Sequence, residues 1–435
     1  MPADLAVIGL GHLGLPLAQA ATAAGLATIG YVPQPAAAHG EGHRTAETQP
    51  SLSHRPDPLV PHTTPADGAL SAAEMRRLLA AGFRTTEDAA ALGRVRTAVI
   101  CAPTPPRVDH ALDLGAVGEA ARALAAHLRP HTTVILESAV YPGTTEDYLR
   151  PLLEEGSGLR AGRDFHLAHA PTRHDPGNRT HPYATVPKVI GGLTPACTEA
   201  AAAFYHRLTD KVVRARGLRE AETTKLLETN YRHLNIALMN EMAVLCHDIG
   251  VDLWDVIRCA ETKPFGFQSF RPGPGVGGPT GPIDPNYLPC ERRSPGYPLR
   301  LVELAQEVNG RMPRYVVQRG AALLNEHGKS ARGARVLLLG VTYKPDLADQ
   351  QGSPAREIAS RLMELGAHLA YHDPYVPQWH VLDRPVPRAD SLYEAAADAD
   401  LTLLLQHHRV YDLQGLAMKA QLLLDTRGAA PAYRL

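Results

Sequence analysis

The chain opens on a short apolar run, Leu5-Ala6-Val7-Ile8, that ends in Gly9-Leu10-Gly11-His12-Leu13-Gly14. An alanine-rich stretch follows from Leu15 to Ala24, then a second apolar run from Ala27 to Val32. This order predicts strand, glycine turn, helix and strand, one βαβ unit. Thr97 to Cys101 and Thr133 to Leu136 predict buried parallel strands, with a helix over Leu114–Leu128 between them. Strands alternating with helices predict a doubly wound sheet. Arg219 to His247 contains no Gly or Pro. It is too long for a crossover and predicts a helix connecting two domains, with a dimer surface on it. The pattern restarts at Arg335–Gly340, with a helix over Pro354–Gly366 and strands at His368–His372, Leu401–Leu405 and Leu422–Asp425. The expected fold class is α/β, with two Rossmann-like doubly wound domains joined by a long central helix and a helical dimerisation domain.

Two segments break the rhythm. Pro33 to Gly68 is dense in Pro, His, Thr and Ala, and predicts an irregular, mobile surface excursion. Four histidines lie in it (His39, His43, His54, His62), but solvated low-complexity sequence outweighs a metal loop. Pro272 to Pro285 packs glycines and prolines, which predicts a fixed loop whose backbone lies close to something.

Composition narrows the class. At about 150 residues per domain, 435 residues make two or three domains. Apolar residues at 44% and charged residues at 20% exclude general disorder. The 44 Lys+Arg balance 45 Asp+Glu, leaving no footprint for nucleic acid or an anionic membrane. No apolar run is long enough to span a bilayer, and Met1-Pro2-Ala3-Asp4 has no basic region of the kind that opens a signal peptide. Five cysteines, an odd number with no metal-ligand spacing, fit reduced thiols in the cytoplasm. The 21 histidines form no HExxH pair or Cys/His cluster, so no metal is expected.

Gly9, Gly11 and Gly14 match the dinucleotide fingerprint between strand and helix. Gly9 makes the turn, Gly11 lets backbone N–H groups approach a pyrophosphate, and Gly14 lets helix and strand pack closely. A tight turn with no ligand is the alternative. An acidic residue should end the second strand and hold the ribose hydroxyls, but the chain there reads Tyr31-Val32-Pro33-Gln34. Losing such an anchor costs about 1–3 kcal/mol, so cofactor affinity is expected to be lower unless Gln34 or the following loop compensates. No nearby arginine offers a 2′-phosphate clamp.

Over nearly its whole length the sequence resembles the UDP-glucose/GDP-mannose dehydrogenase family. The likeness rests on Gly9–Pro16, Ala102–Pro105, Glu137–Thr145, Pro187–Gly192, Lys225–Glu228, Pro272–Gly278, Ile283–Pro285, Gly340–Lys344 and Asp373–Tyr375. It implies NAD as cofactor, a nucleotide-sugar substrate and a homodimer. It implies an NAD-binding domain over 1–205, a central helical domain over 206–315 and a nucleotide-sugar-binding domain over 316–435. It also assigns the glycine turn with His12 and Leu13, Thr104 and Lys344 to the cofactor, and Gly275, Gly277, Lys225 and Arg427 to the substrate. Lys225 would be the catalytic lysine and Asp284 the aspartate that works with it on water. Their plainer readings are a solvated helix lysine and an Asp-Pro turn.

Enzymes of this family oxidise a sugar CH2OH to a carboxylate in two hydride transfers, through a cysteine thioester. Here the loop reads Gly277-Gly278-Pro279-Thr280-Gly281-Pro282, and Thr280 stands at the cysteine position. A threonine hydroxyl is scarcely ionised at neutral pH, whereas a cysteine is a few per cent thiolate. Cys290, beyond the loop, reads as an ordinary thiol. The glutamate that assists hydrolysis is Thr172, the water-ordering threonine is Ala139, and the asparagine one turn after the lysine is Thr229, on the face of Lys225, with Asn230 turned about 100° away. The Arg-Glu before Ser-Pro-Ala is Gln351-Gly352. The losses fall on thioester formation, hydrolysis and the ribose anchor. The leading expectation is therefore an atypical NAD-dependent oxidoreductase on a nucleotide-linked sugar, two-electron or redox-neutral. A non-catalytic nucleotide-binding partner and a full dehydrogenase using Thr280 stand as alternatives.

Overall fold

The computed structural model describes residues 3–32, 72–105, 107, 112–175, 178, 180–278 and 299–435. The expected excursion at Pro33–Gly68 lies outside them. Two compact units form, one from residues up to 104 with 112–225, the other from 105–111 with 226–435. Among the described residues no helix is long and apolar enough to cross a membrane.

The first unit holds one sheet. Its strands are β1 (Ala3–Ile8), β2 (Thr28–Tyr31), β3 (Arg84–Thr86), β4 (Val95–Ile100), β5 (Thr133–Leu136), β6 (His166–His169), β7 (Lys188–Gly192) and β8 (Val212–Arg214), in the order 3-2-1-4-5-6-7-8. Helices α1 (Gly14–Ala23), α2 (Ala72–Ala80), α3 (Gly115–Ala125), α4 (Arg150–Ser157) and α5 (Pro195–Tyr205) cover its faces. The period-two alternation of a strand builds two cores from one run. Leu5 and Val7 pack on one face, Ala6 and Ile8 on the other. β6 and β7 pair antiparallel, so the expected parallel sheet is mixed at this edge. Among the described residues of the connection between them there is one three-residue helical turn, Tyr183–Thr185. Without a crossover helix the chain doubles back and does not re-enter in parallel.

The second unit repeats the idea with β9 (Arg335–Leu339), β10 (His368–His372), β13 (Leu401–Leu404), β14 (Leu423–Asp425) and β15 (Tyr433–Arg434), in the order 10-9-13-14-15. Counted along the chain this is the 2-1-3-4-5 order of doubly wound folds, whose switch point lies between β9 and β13. β11 (His380–Val381) and β12 (Arg384–Pro385) form a separate ribbon. The helices are α7 (Leu253–Ala260), α8 (Arg300–Glu326), α9 (Pro354–Glu364), α10 (Leu392–Asp398) and α11 (Leu413–Lys419). The long helix α6 runs from Leu218 to Asp248, and the division between the units falls inside it after Lys225. The hydrophobic pattern did not single out α8, which carries Pro313 in its interior.

A charged cluster is buried in the first unit. Glu137, just past β5, is fully buried and pairs with the ammonium of Lys188 at the start of β7. Its Oε1 also accepts from the Tyr205 hydroxyl at 2.6 Å, and the Cys101 thiol lies 3.7 Å from Oε2. The Lys188 Nζ sits 4.7 Å above the Tyr205 ring. Burial, reinforced by the charge of Glu137, pushes the Cys101 thiol well above its usual range, so this cysteine is inert. At the end of β6, His169 is buried, and burial together with the Lys188 charge lowers its pKa to about 3.

Removing one partner of a buried ion pair leaves the other unpaired in low dielectric. Lys188→Met is expected to destabilise the first unit by about 3–5 kcal/mol in urea unfolding. The double variant Glu137→Gln/Lys188→Met is expected to lose less than that single change. His169 has a folded pKa below its free value of 6.5, so protons favour the unfolded chain. Its contribution is complete above pH 6.5 and is lost as pH falls toward about 3. His169→Gln is expected to flatten the fall of the unfolding midpoint across that window.

Candidate active site

The dinucleotide turn sits at the switch point of the first sheet, between the ends of β1 and β4. Gly9 has φ +96°, and a Cβ there would lie 3.0 Å from the Cys101 carbonyl. Gly14 begins α1, and a Cβ on it would overlap the Gly9 carbonyl oxygen. Those two glycines are demanded by the protein's own packing. Gly11 is different, because a Cβ there would meet nothing within 4 Å. Its bareness leaves room for a group from outside the chain. The N-cap of α1, Leu13, makes no side-chain cap hydrogen bond, and no acidic residue stands in the first turn. The helix start thus keeps its backbone N–H groups uncapped by its own N-cap side chain, as an anion site requires. The turn therefore fits a pyrophosphate. His12 lies within it.

No acidic residue ends β2. β2 ends at Tyr31, and the half-buried Val32 follows with its amide bonded to the Thr86 carbonyl. Gln34 lies outside the described residues. The loops after β4 and β5 are stitched together across the sheet end. Thr104 Oγ1 donates to the Ala139 carbonyl at 2.7 Å, and Ser138 Oγ to that of Ala102 at 2.7 Å. Thr104, expected on the cofactor, is thus buried and tied to the protein.

Helix α6 carries Lys225 and Thr229, both half-buried. Lys225 closes the first unit, and Thr229 lies in the second. Asn230 is buried, and its Oδ1 has no hydrogen-bond partner among the described residues. Thr280, Asp284 and Cys290 lie outside the described residues. The start of their loop is visible and is fixed by backbone packing. The Gly273 amide donates to Asn240 Oδ1 at 2.9 Å, and Asn240 Nδ2 donates to Asn309 on α8 at 2.9 Å. Gly275 has φ +130°, and a Cβ on Gly277 would lie 2.6 Å from the Gly352 carbonyl oxygen and 2.8 Å from the Cβ of Tyr343. The backbone closeness expected for this loop is thus met by Gly352, Tyr343 and, through a 3.1 Å bond from the Gly278 amide, Gln351.

Arg427 follows β14. Its Nε donates to the Leu405 carbonyl at 2.7 Å and its Nη2 to Gln406 Oε1 at 2.8 Å. The remaining arm, Nη1, points at Gly273, 3.0 Å from where a Cβ would stand. Burial lowers the Arg427 pKa to about 10; Asp425 opposes this and the charge of Arg232 adds to it. Arg427 therefore stands at the glycine loop within electrostatic range of Arg232 on α6. Asp425 partly offsets this charge, while its oxygens accept from the amides of Arg427, Gly428, Ala429 and Ala430. Such a pair suits a phosphate. Sequence reasoning found Arg427 but missed Arg232, whose place on an exposed turn of α6 carries no local signal. Lys344 lies in the second unit, in the turn after β9, where its carbonyl accepts from Thr342 Oγ1 at 2.9 Å.

Family models match three stretches of the chain. The NAD binding domain of the UDP-glucose/GDP-mannose dehydrogenase family matches residues 70–209, its central domain 219–311 and its UDP binding domain 337–432. The first match starts past the glycine turn, which rests on its own geometry. UDP-N-acetyl-D-glucosamine 6-dehydrogenase of Pseudomonas aeruginosa is 31% identical over 373 residues, covering 86% of this chain and 83% of that one. The structure of the UDP-D-ManNAc dehydrogenase of Pyrococcus horikoshii aligns with a TM-score of 0.79 at 26% identity, over 99% of this chain and 98% of its own. The UDP-N-acetyl-mannosamine dehydrogenase of Staphylococcus aureus aligns with a TM-score of 0.77 at 26% identity, over 100% and 96%. The chain belongs to the UDP-glucose/GDP-mannose dehydrogenase family and is an NAD-dependent oxidoreductase.

Proposed function

We propose that the chain oxidises a CH–OH group of a UDP-linked N-acetylhexosamine. The observation that carries this is a cofactor turn open at Gly11 together with Arg427, whose free arm is directed at the glycine loop within electrostatic range of Arg232. The relatives named for UDP-N-acetylglucosamine and UDP-N-acetylmannosamine support the sugar class. They lend nothing to a redox-neutral rearrangement or to a non-catalytic binding protein. In this reading residues 1–205 bind NAD, 206–315 form the central helical domain, and 316–435 bind the nucleotide sugar.

NAD, when bound, accepts a hydride from the sugar carbon. The chain's own residues supply the rest. The amides of Gly11–Gly14 and the start of α1 hold the pyrophosphate. Arg427 and Arg232 hold the diphosphate of the sugar nucleotide. Lys225 takes up the hydroxyl proton directly or through Asp284, and Thr229 lies one turn further on the same face. The extent of oxidation rests on position 280. A hydroxyl there, without a glutamate at 172 or a threonine at 139, does not readily capture an aldehyde or deliver water to it. The reaction then ends after two electrons, with the alcohol and NAD giving an aldehyde, NADH and a proton. The free thiols Cys101, Cys197, Cys246 and Cys259 suit a reducing cytoplasm.

The site would operate in a homodimer. Leu227, Tyr231, Leu238 and Leu245 expose large apolar surfaces along α6. Their spacing of four and seven residues draws one stripe, and a second copy of the chain is the occupant that covers it.

Incubation with NAD and UDP-N-acetylglucosamine, UDP-N-acetylmannosamine, UDP-glucose or GDP-mannose is expected to give one NADH per sugar and an aldehyde that hydroxylamine traps for mass spectrometry. A uronate with two NADH per sugar would refute the two-electron ending, and no NADH with any sugar would refute the dehydrogenase. Thr280→Cys is expected to carry the product on to the acid. Light scattering is expected to give a dimer that Leu238→Glu/Leu245→Glu converts to monomer; a monomeric parent would dispose of the stripe's role.

A further inference from the structure

Three residues before Lys225, helix α6 carries a second ionisable side chain that the proposed reaction does not use. Glu222 is 1% exposed. Its Oε2 accepts from the Gly143 amide at 2.5 Å, and its Oε1 from the Thr145 amide at 2.8 Å and the Thr145 hydroxyl at 2.7 Å. These donors belong to the turn that closes Glu137–Thr145 and to the first residue of the helical segment Thr145–Leu149 that runs into α4. A helix start has unsatisfied N–H groups and a positive end. No side chain of its own caps this one, so Glu222 acts as the cap from nearly eighty residues away. Gly143 has φ +96°, a conformation that presents its amide together with that of Thr145. Burial raises the Glu222 pKa above the usual glutamate value, against the pull of its donors.

The contact extends in both directions. Thr145 Oγ1, which donates to Glu222, also lies 3.4 Å from His169 Nδ1 at the end of β6. On the outer side Arg219, one turn earlier on α6, pairs with Glu146 at 3.2 Å and Asp147 at 3.1 Å. The inner clamp is buried and takes two backbone amides and a hydroxyl; the outer pair is exposed and weak. Gly143 lies in the same turn as Ala139, whose carbonyl holds Thr104. The clamp thus joins the stitched loops at the sheet end to the helix turn that bears Lys225.

We infer that Glu222 is a positioning residue for Lys225, fixing the start of α6 to the Ala139–Thr145 turn through the Gly143 and Thr145 donors. The inference rests on the reading of Lys225 as the proton-handling group, and its test has one arm that needs no catalysis. In that arm the full-length protein is acetylated with acetic anhydride, and modification of Lys225 is followed by mass spectrometry against the exposed Lys263 and Lys419. Glu222→Ala is expected to raise the relative rate at Lys225 by about threefold or more, as local opening exposes the amine. Glu222→Gln, which keeps the side-chain size but sets an NH2 against the Gly143 amide, gives a smaller rise and serves if the alanine variant does not fold. Arg219→Ala is expected to leave the ratio unchanged. An unchanged ratio in the Glu222 variants overturns the inference.

The second arm measures NADH formation. Glu222→Gln is expected to lower kcat by about tenfold or more, as misplacement of a catalytic group does, with little change in the KM for NAD. In a Lys225→Ala background the same change is expected to cost no more than about twofold, since coupled residues are non-additive. Equal losses in both backgrounds overturn the inference. If the unaltered chain forms no NADH, the dehydrogenase reading falls and the acetylation arm alone decides whether the clamp holds Lys225.

Discussion

One buried carboxylate, held by backbone amides and a hydroxyl, sets the geometry of the start of α6 in the first unit. Glu222 accepts two backbone amides and a hydroxyl from a turn that the sequence places nearly eighty residues away. An unpaired carboxylate at 1% exposure would be costly, so the helix start must stay where those donors are. The loops after β4 and β5 are bound to each other by Thr104 and Ser138. Sheet end, cofactor loops and the beginning of α6 therefore behave as one piece, and Lys225 is carried on it.

The two sheets use the same physics toward different ends. Each begins with an apolar strand whose residues alternate between two cores, then a glycine turn at its switch point. They differ at the residue just past the second strand. In the first unit that place belongs to Val32, which has no side-chain acceptor for a ribose. In the second it belongs to Asp373, fully buried, which accepts from the Val341 and Tyr375 amides and contacts His408 Nε2 at 3.0 Å. There the acid is spent on holding the turn after β9 and is closed to a ligand. The similar topologies do not imply similar ligands.

In the proposed reaction, positions 139, 172 and 280 bear on what happens to an aldehyde after the first hydride transfer. Ala139 is buried, and its carbonyl still anchors Thr104, so the turn survives loss of the threonine hydroxyl. The glycines of the Pro272–Gly278 loop are held by packing against Tyr343 and Gly352 and by Asn240. Backbone constraints of this kind are independent of which nucleophile the loop carries further on.

The local pattern was enough for most of the fold. Alternating apolar residues placed β1, β4, β5, β9 and β10, and the absence of Gly and Pro placed α6, because both signals act within a few residues. It failed for the antiparallel return of β7 and for α8, where Pro313 interrupts the pattern and long-range packing decides. The glycine turn was legible because a strand and a helix flank it; that Gly11 alone faces open space was not. Lys225, Thr229 and Arg427 stood out only through the family likeness. Glu222, Arg232, His169 and the Glu137–Lys188 pair gave no signal, since each acquires its meaning from a partner distant in sequence. By itself the sequence determined the strands, the helices and the chemical identity of position 280. Tertiary structure decided which charges are buried, which are paired and which face one another, because desolvation and hydrogen-bond geometry exist only once the chain has folded.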